Sequence, residues 1–354
     1  MCEICVICGL FSGRIDLNAT TSNEPESRSL FLTLVRFREL SIIIFILLLI
    51  VIVSIDTPAF LTAENFRNIL LNISILAIVA LGQTMVIITR GIDLSVSATI
   101  GLVAMMVSFT VVAFPAVSPV LAILLGMLLG AILGSFNGLI ITVGKVPPII
   151  ATLGTLSIYR GMVFLYSGGT WINSFEMPDG YRALAKAAPL GIPNIILFAA
   201  VIALAVYVFL NYTRPGRDIY AVGSNPDAAN VAGIPVQRTL FMVYVISGLL
   251  AGLAAVLWAS RFESAQTNTA LGFELQTVAA AVVGGVNIFG GSGTVIGVIL
   301  GAFLLGTIEN ALILVRISPF WQLAAQGLLI LIAVIVDSTI RRRLQQLGGT
   351  GEES

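Results

Sequence analysis

Residues 214–238 read RPGRDIYAVGSNPDAANVAGIPVQR, and the rest of the chain is arranged around this stretch. It is the longest internal polar segment of an apolar sequence, and runs long enough to cross a membrane flank it. Pro215-Gly216 predicts a break in what precedes. Asn225-Pro226-Asp227 is a helix-start signal with proline at the first helical position, and Gly233-Ile234-Pro235 predicts a helix end about two turns later. The sequence therefore predicts a short helix between spans, suited to docking a soluble partner.

The composition excludes several classes of protein. The chain has 354 residues, 58% of them hydrophobic and 10% charged, whereas a soluble domain carries about 25% charged residues. We therefore predict an all-α, polytopic membrane protein. The net charge is zero and no histidine occurs, so neither nucleic-acid binding nor a cofactor or metal site is expected. Cys2, Cys5 and Cys8 lack a fourth cysteine and predict a plain tail rather than an iron–sulfur site.

Apolar runs of about 20 residues predict about ten transmembrane helices. They lie near 40–58, 69–89, 94–114, 119–143, 149–167, 193–212, 240–260, 273–289, 292–314 and 319–337. The transmembrane domain is thus 40–338, with cytoplasmic tails at 1–39 and 339–354 and a cytoplasmic loop at 213–239. This arrangement places 12 Lys and Arg residues in the cytoplasm and five outside, as the positive-inside rule requires. Residues 168–192 form the main external loop.

Glycine rows mark predicted helix contacts. Gly126, Gly130, Gly134 and Gly138 recur every four residues in one span, and Gly293, Gly297 and Gly301 do so in another. Such rows let helix backbones approach closely in lipid. They predict tight packing inside one subunit, with a seam between subunits as the alternative.

Several short motifs occur in a fixed order along the chain. In the polar stretch these are Gly223-Ser224-Asn225-Pro226, Ala228-Ala229 and Gly233-Ile234. The others are Gly91-Ile92-Asp93-Leu94-Ser95, Ala151-Thr152-Leu153-Gly154-Thr155-Leu156, Gly284-Gly285 and Phe289-Gly290-Gly291-Ser292-Gly293-Thr294. In order and spacing these motifs resemble one family, the permease subunits of ATP-binding-cassette sugar importers of the ribose, rhamnose and autoinducer-2 type. The resemblance extends from about Leu40 to about Arg343.

The resemblance implies a function and a set of partners. A cytoplasmic ATP-binding-cassette ATPase would press on a coupling helix containing Gly223, Asn225, Pro226, Ala228, Ala229, Gly233 and Ile234. A periplasmic or extracellular substrate-binding protein would deliver a small sugar or sugar-like solute, and a second permease subunit would form a homo- or heterodimer in the lipid of the bacterial inner membrane. The chain has no phosphate-binding loop of its own, because Val146 follows Gly144-Lys145 where Ser or Thr is needed. It is therefore not expected to be an enzyme, and ATP hydrolysis is assigned to a partner.

Polar residues in or beside apolar runs are candidates for the translocation pathway: Asp93, Asn137, Arg160, Glu274 and Asn310. Asp93 either caps the helix after a cytoplasmic turn or belongs to a broken-helix element near the pathway. Arg160 has a structural role, as an ion pair with Glu274 or Glu309 or by snorkelling near the outer end of its span, or it makes a polar contact in or beside the pathway. The amides suit sugar hydroxyls and interhelical hydrogen bonds equally well.

Two other classes of protein stay open at this stage. An ion-coupled secondary transporter would depend on buried acids and would leave residues 214–238 without a required partner. A membrane enzyme would need a nucleophile, base or metal cluster, and the lack of histidine makes it the least favoured class.

Overall fold

A computed structural model describes residues 38–316 apart from 189 and 190, and beyond them only positions 318, 321, 324, 327, 328, 331 and 335. The tails before residue 38 and after residue 338, with Cys2, Cys5 and Cys8, lie outside the described residues. So does most of the predicted span 319–337.

The described part of the chain is helical, with one isolated β-bridge between Ile172 and Ala265. The helices before the polar stretch are α1 (Arg38–Asp56), α2 (Ala63–Ile88), α3 (Val96–Ala113), α4 (Pro119–Thr142), α5 (Pro148–Ser167), α6 (Asp179–Lys186) and α7 (Asn194–Tyr212). Short 3-10 turns occupy Pro58–Leu61 and Ser174–Glu176. The polar stretch forms α8 (Arg214–Ser224) and α9 (Pro226–Val231), and α10 (Val236–Phe262), α11 (Phe273–Val283) and α12 (Val295–Leu314) follow.

Seven of these helices are long and apolar enough to cross a membrane, namely α2 to α5, α7, α10 and α12. The predicted spans at 40–58 and 273–289 coincide with shorter apolar helices, Ile42–Ile55 within α1 and Phe273–Val283. The 11 residues of α11 extend about 16 Å, roughly half the thickness of a bilayer core. Among the described residues, seven full spans are therefore found where the sequence predicts nine.

The glycine rows lie at contacts within this chain. A Cβ on Gly130 would stand 2.2 Å from the carbonyl oxygen of Gly248, and one on Gly301 would stand 2.1 Å from that of Ala280. The first contact joins α4 to α10, and the second joins α12 to α11. The prediction of tight packing inside one subunit is confirmed for these rows.

The centre of the protein is formed by α2, α3 and α10. Every residue of α2 from 73 to 88 is buried, and so is most of α3. By contrast, α1, α4, α5 and α7 expose many large apolar side chains, Leu47, Leu128, Leu165 and Leu204 among them. An apolar exterior around a packed interior suits a protein solvated by lipid.

Candidate functional site

The polar stretch folds into two short helices, which we call the α8–α9 segment (residues 214–234). Thr213 caps α8 by accepting a 3.1 Å hydrogen bond from the backbone N–H of Gly216, and Pro215 stands in the first turn. The predicted break at Pro215-Gly216 is confirmed, because the preceding helix α7 ends at Tyr212 and a new, capped helix begins at Arg214 with proline in its first turn. Asn225 then caps α9, where its Oδ1 accepts from the N–H groups of Asp227 and Ala228 at 3.1 and 3.0 Å.

The end of α9 follows the sequence prediction. Gly233 has φ +82, and the Ile234 N–H donates to the Ala229 carbonyl at 3.0 Å. A left-handed residue with a return bond of this kind is a common way to terminate a helix, and glycine adopts it without strain. Pro226 occupies the first turn of α9, as predicted.

The two alanines of α9 differ in solvent exposure. Ala229 is buried against its own chain with 4% of its surface exposed, whereas Ala228 is exposed. Of the two, only Ala228 is accessible to a partner in this arrangement. Val231, which sequence analysis passed over, is 89% exposed at the end of α9. An open groove of about 530 Å³ runs beside it, lined by Pro226, Asp227, Asn230 and residues 235–238.

Arg90 fastens the end of α8 to the turn between α2 and α3. Its Nε donates to the carbonyl of Gly223 at 2.7 Å, and its Nη2 donates to that of Ser224 at 2.6 Å. The last carbonyls of a helix carry partial negative charge, so a guanidinium is well placed there. The backbone of Arg90 itself is left-handed, with φ 66.

Glycine lets the chain approach closely at this junction. A Cβ on Gly223 would stand 1.8 Å from the carbonyl oxygen of Ile88, and the N–H of Gly291 donates to that same oxygen at 2.9 Å. Tyr220 donates to the carbonyl of Gly293 at 2.9 Å. A cleft of about 650 Å³ opens between Arg90, Ser224 and residues 287–292.

Asp93 lies three residues beyond Arg90 in a buried polar cluster. Its Oδ1 accepts from the N–H and Oγ of Ser95 at 3.0 and 2.6 Å, and Ser247 of α10 approaches Oδ2 at 3.4 Å. The carboxamide of Gln83 bridges the Asp93 N–H and carbonyl at 3.1 and 3.2 Å. Burial raises the pKa of the Asp93 carboxyl. We call Gln83, Asp93, Ser95, Asn137 and Ser247 the Asp93 cluster.

The Asp93 cluster connects helices from both halves of the chain. Asn137 of α4 donates from Nδ2 to Ser95 Oγ at 2.7 Å, and Thr152 Oγ1 of α5 lies 3.0 Å from the carbonyl of Ile92. The structure therefore brings together two of the pathway candidates, Asp93 and Asn137. Asp93 holds the turn before α3 through Ser95. The N-cap residue of α3 is Ser95, without a side-chain capping bond, so Asp93 does not itself cap the helix as one interpretation of the sequence expected.

Arg160, another of the pathway candidates, is not part of the Asp93 cluster. It is half-buried on α5, and its Nη1 donates to the carbonyls of Thr267 and Thr269 at 3.3 and 2.9 Å. Those carbonyls belong to the loop that enters α11, and Gly101 of α3 leaves room for the guanidinium. Glu274, in the first turn of α11, supplies an attractive charge to Arg160.

Glu309 and Asn310 take part in contacts elsewhere. Glu309 lies near Arg261, which also donates to Asn72 Oδ1. Of the two acids predicted as partners of Arg160, Glu274 supplies an attractive charge to it and Glu309 does so to Arg261, and among the described residues neither acid forms a salt bridge with Arg160. Asn310 donates to Asn65 Oδ1 at 2.9 Å, an interhelical hydrogen bond between α12 and α2.

The loop predicted to be external contains a helix and is hydrogen-bonded to the end of α10. Helix α6 lies within residues 168–192, and Glu263 at the end of α10 accepts from Lys186 Nζ at 2.6 Å and from Ser174 Oγ at 2.5 Å. These hydrogen bonds lower the pKa of Glu263. They attach α6 to α10.

Comparison with known proteins identifies the family and several relatives of this chain. Residues 65–334 match the family described as branched-chain amino acid transport system / permease component. The ribose import permease protein RbsC of Bacillus subtilis (strain 168) is 41% identical over 286 residues, covering 81% of this chain and 88% of that protein. The autoinducer 2 import system permease protein LsrC of Enterobacter sp. (strain 638) is 36% identical over 88% of this chain and 90% of its own.

A third relative, the ribose import permease protein RbsC of Escherichia coli (strain K12), is 37% identical over 293 residues, covering 81% of this chain and 89% of its own. No solved structure matches the chain.

Proposed function

Because the chain belongs to the branched-chain amino acid transport system permease family, we propose that it is the permease subunit of an ATP-driven importer for a small sugar or sugar-like solute. The observation that carries this proposal is the identity of 36 to 41% with ribose and autoinducer-2 import permeases over most of both chains. The chain is a multi-pass protein of the bacterial inner membrane. The same relatives favour import driven by ATP over an ion-coupled secondary transporter.

In the proposed mechanism, one partner protein supplies the energy for transport and another selects the solute. A cytoplasmic ATP-binding-cassette ATPase binds the α8–α9 segment, and a substrate-binding protein delivers the solute on the other side. The exposed face of α9, with Ala228 and Val231 beside an open groove, supports such a contact. Gly223, Asn225, Pro226, Gly233 and Ile234 set the shape of that surface through the caps and close contacts described above. Ala229 supports it from beneath.

The solute passes through a cavity formed by alternating access between two permease subunits, identical or different. Asp93, Asn137, Arg160, Glu274 and Asn310 remain the proposed polar residues of the pathway. Arg160 with Glu274 is the best supported of these. Both residues are half-buried, and Arg160 donates to the loop that leads into the half-length helix α11, whose first turn holds Glu274. Half-length helices that start inside a membrane protein commonly border solute sites.

Transport by a reconstituted complex tests the proposal. The chain is co-expressed with a candidate ATP-binding-cassette ATPase and substrate-binding protein from the same organism, and the complex is placed in liposomes. ATP-dependent uptake of radiolabelled ribose or autoinducer-2, abolished when ATP is replaced by a non-hydrolysable analogue, is the expected result. Uptake driven by a proton or sodium gradient without ATP would contradict it.

A further inference from the structure

The cytoplasmic ends of α2, α8 and α12 meet at Arg90. Its guanidinium makes two short hydrogen bonds to α8 at 2.7 and 2.6 Å. The carbonyl of Ile88, two residues earlier, accepts from Gly291 just before α12. Arg90 itself sits in a left-handed conformation that non-glycine residues adopt only when surrounding contacts enforce it. This strained residue is therefore held in place by the elements that it joins.

The same turn leads directly into the protein interior. Gln83 bridges the peptide groups of Asp93 at 3.1 and 3.2 Å, and Ser95 links that residue to Asn137 of α4. Between them, the carbonyl of Ile92 lies 3.0 Å from Thr152 Oγ1 on α5. The contact of Arg90 with α8 thus lies two positions from the contact of Ile92 with α5 and five positions from the contact of Ser95 with α4. Continuous networks of hydrogen bonds such as this one are the physical means by which movement at one site reaches another.

We infer that Arg90 is a positioning residue that transmits movement of α8 to the Asp93 cluster, and so from the α8–α9 segment to α4 and α5. The inference rests on the proposed function. The planar guanidinium suits this role because its Nε and Nη2 grip two successive carbonyls with fixed geometry. The ammonium group of a lysine carries the same charge but cannot donate two parallel hydrogen bonds in that fixed geometry. Helix α5 carries Arg160, so the movement reaches the entrance of α11.

The inference predicts uncoupling rather than loss of assembly. Arg90→Gln removes the charge and the fork but touches neither the exposed face of α9 nor any span. The ATPase should still co-purify and hydrolyse ATP, while solute imported per ATP hydrolysed falls roughly tenfold, since two charged hydrogen bonds are lost. Arg90→Lys should recover only part of the coupling. Arg67→Gln, the same change at an exposed position on α2, is the matched control and should leave the ratio unchanged.

A second variant tests the junction without altering Arg90. A Cβ on Gly291 would stand 2.7 Å from Ser224 Oγ and 2.9 Å from its Cα, so Gly291→Ala should displace the end of α8 and lower the coupling ratio similarly. Gly169 has the same φ of +79 but nothing within 4 Å, which makes Gly169→Ala a control for backbone strain alone. That control should couple normally.

Three results would overturn the inference. In the first, Arg90→Gln imports as much solute per ATP as the wild type. In the second, Arg90→Gln loses the ATPase, which would make Arg90 a support of the binding surface only. In the third, Gly169→Ala uncouples as strongly as Gly291→Ala. Failure of the wild-type complex to import any solute with ATP would instead count against the proposed function, whatever the variants do.

Discussion

Arg160 donates a 2.9 Å hydrogen bond to the carbonyl oxygen of Thr269, a residue 109 positions away in the sequence. The bond fixes the loop between α10 and α11 against α5. A second carbonyl, that of Thr267, lies 3.3 Å from the same nitrogen. The described contacts of Arg160 are therefore with two backbone carbonyls, with the charge of Glu274 as a further attraction, rather than the ion pair that was one of the alternatives from the sequence.

Replacing Arg160 should cost stability as well as transport. Arg160→Ala leaves two carbonyls without their donor, at about 1–3 kcal/mol for each buried unpaired group, so folded yield and melting temperature in detergent should fall. Glu274→Gln should have a smaller effect because it leaves those hydrogen bonds intact. Normal yield and melting temperature of Arg160→Ala, with transport lost, would show that the side chain serves the solute and not the loop.

Local signals predicted the parts of this protein that depend on neighbouring residues. Pro226 at the start of α9 and Gly233 at its end follow from the conformations that proline and glycine allow. The contact of Arg90 with Gly223 spans 133 positions, and no local rule encodes it. The burial of Ala229 and the exposure of Val231 depend likewise on how α9 packs against the rest of the chain.

The length of an apolar run does not by itself predict the length of the helix that it forms. The run at 273–289 is apolar enough for a span, yet its helix ends at Val283 because Gly284-Gly285 follows and Gly285 has φ 97. The length of an apolar run sets what a segment can bury, not whether it stays helical. Paired glycines inside such a run were the available signal for a shorter helix.

The glycine contact between α4 and α10 should be intolerant of a methyl group. A Cβ on Gly130 would lie 2.2 Å from backbone oxygen and 2.8 Å from the Cα of Gly252. Gly130→Ala should therefore force the helices apart and lower the melting temperature, with typical overpacking costs of about 1–3 kcal/mol. Gly154→Ala on α5 meets nothing within 4 Å and should be neutral or slightly stabilising. Equal stability of the two variants would contradict this packing.

Asp93 should make stability depend on pH. Burial raises the pKa of its carboxyl, so its stabilising contribution is complete at pH values below the unfolded pKa of about 3.9 and is lost as pH rises through the folded pKa. Asp93→Asn keeps an acceptor for Ser95 and cannot ionise. Its melting temperature relative to wild type should therefore increase from about pH 4 to about pH 8.

Asp93→Ala is the control for the hydrogen bonds themselves. It leaves the N–H of Ser95 without an acceptor and should be less stable than Asp93→Asn at every pH. If Asp93→Asn were less stable than wild type throughout the range, the cluster would require the ionised carboxylate.

Topology can be tested by labelling in a chain whose Cys2, Cys5 and Cys8 are replaced by serine. Phe175 is 85% exposed in the loop predicted to be external, and Asn230 is exposed on α9. A membrane-impermeant maleimide added to intact spheroplasts should label Phe175→Cys and leave Asn230→Cys unlabelled until the membrane is opened. The reverse pattern would invert the orientation.

The surface of α9 offers the sharpest test of partner binding. Ala229 is a poor position for it, because Ala229→Glu would place a charge among the chain's own buried residues and would disturb α9 directly. Val231 is 89% exposed, so Val231→Asp should leave expression and membrane insertion intact. If the ATPase covers this residue, an unpaired carboxylate enters the interface at a cost of several kcal/mol, and co-purification of the ATPase should fall roughly tenfold or more.

Two control variants test whether any loss of the ATPase is caused by the charge introduced at position 231. Val231→Ile keeps an apolar side chain of similar shape and should retain the ATPase. Phe175→Asp introduces the same charge at another exposed apolar position, on the loop predicted to face the opposite side of the membrane, and should not affect ATPase binding. Full retention of the ATPase by Val231→Asp would place the contact elsewhere on the α8–α9 segment, with Ala228 and the groove lined by Asp227 and Asn230 the next surfaces to alter.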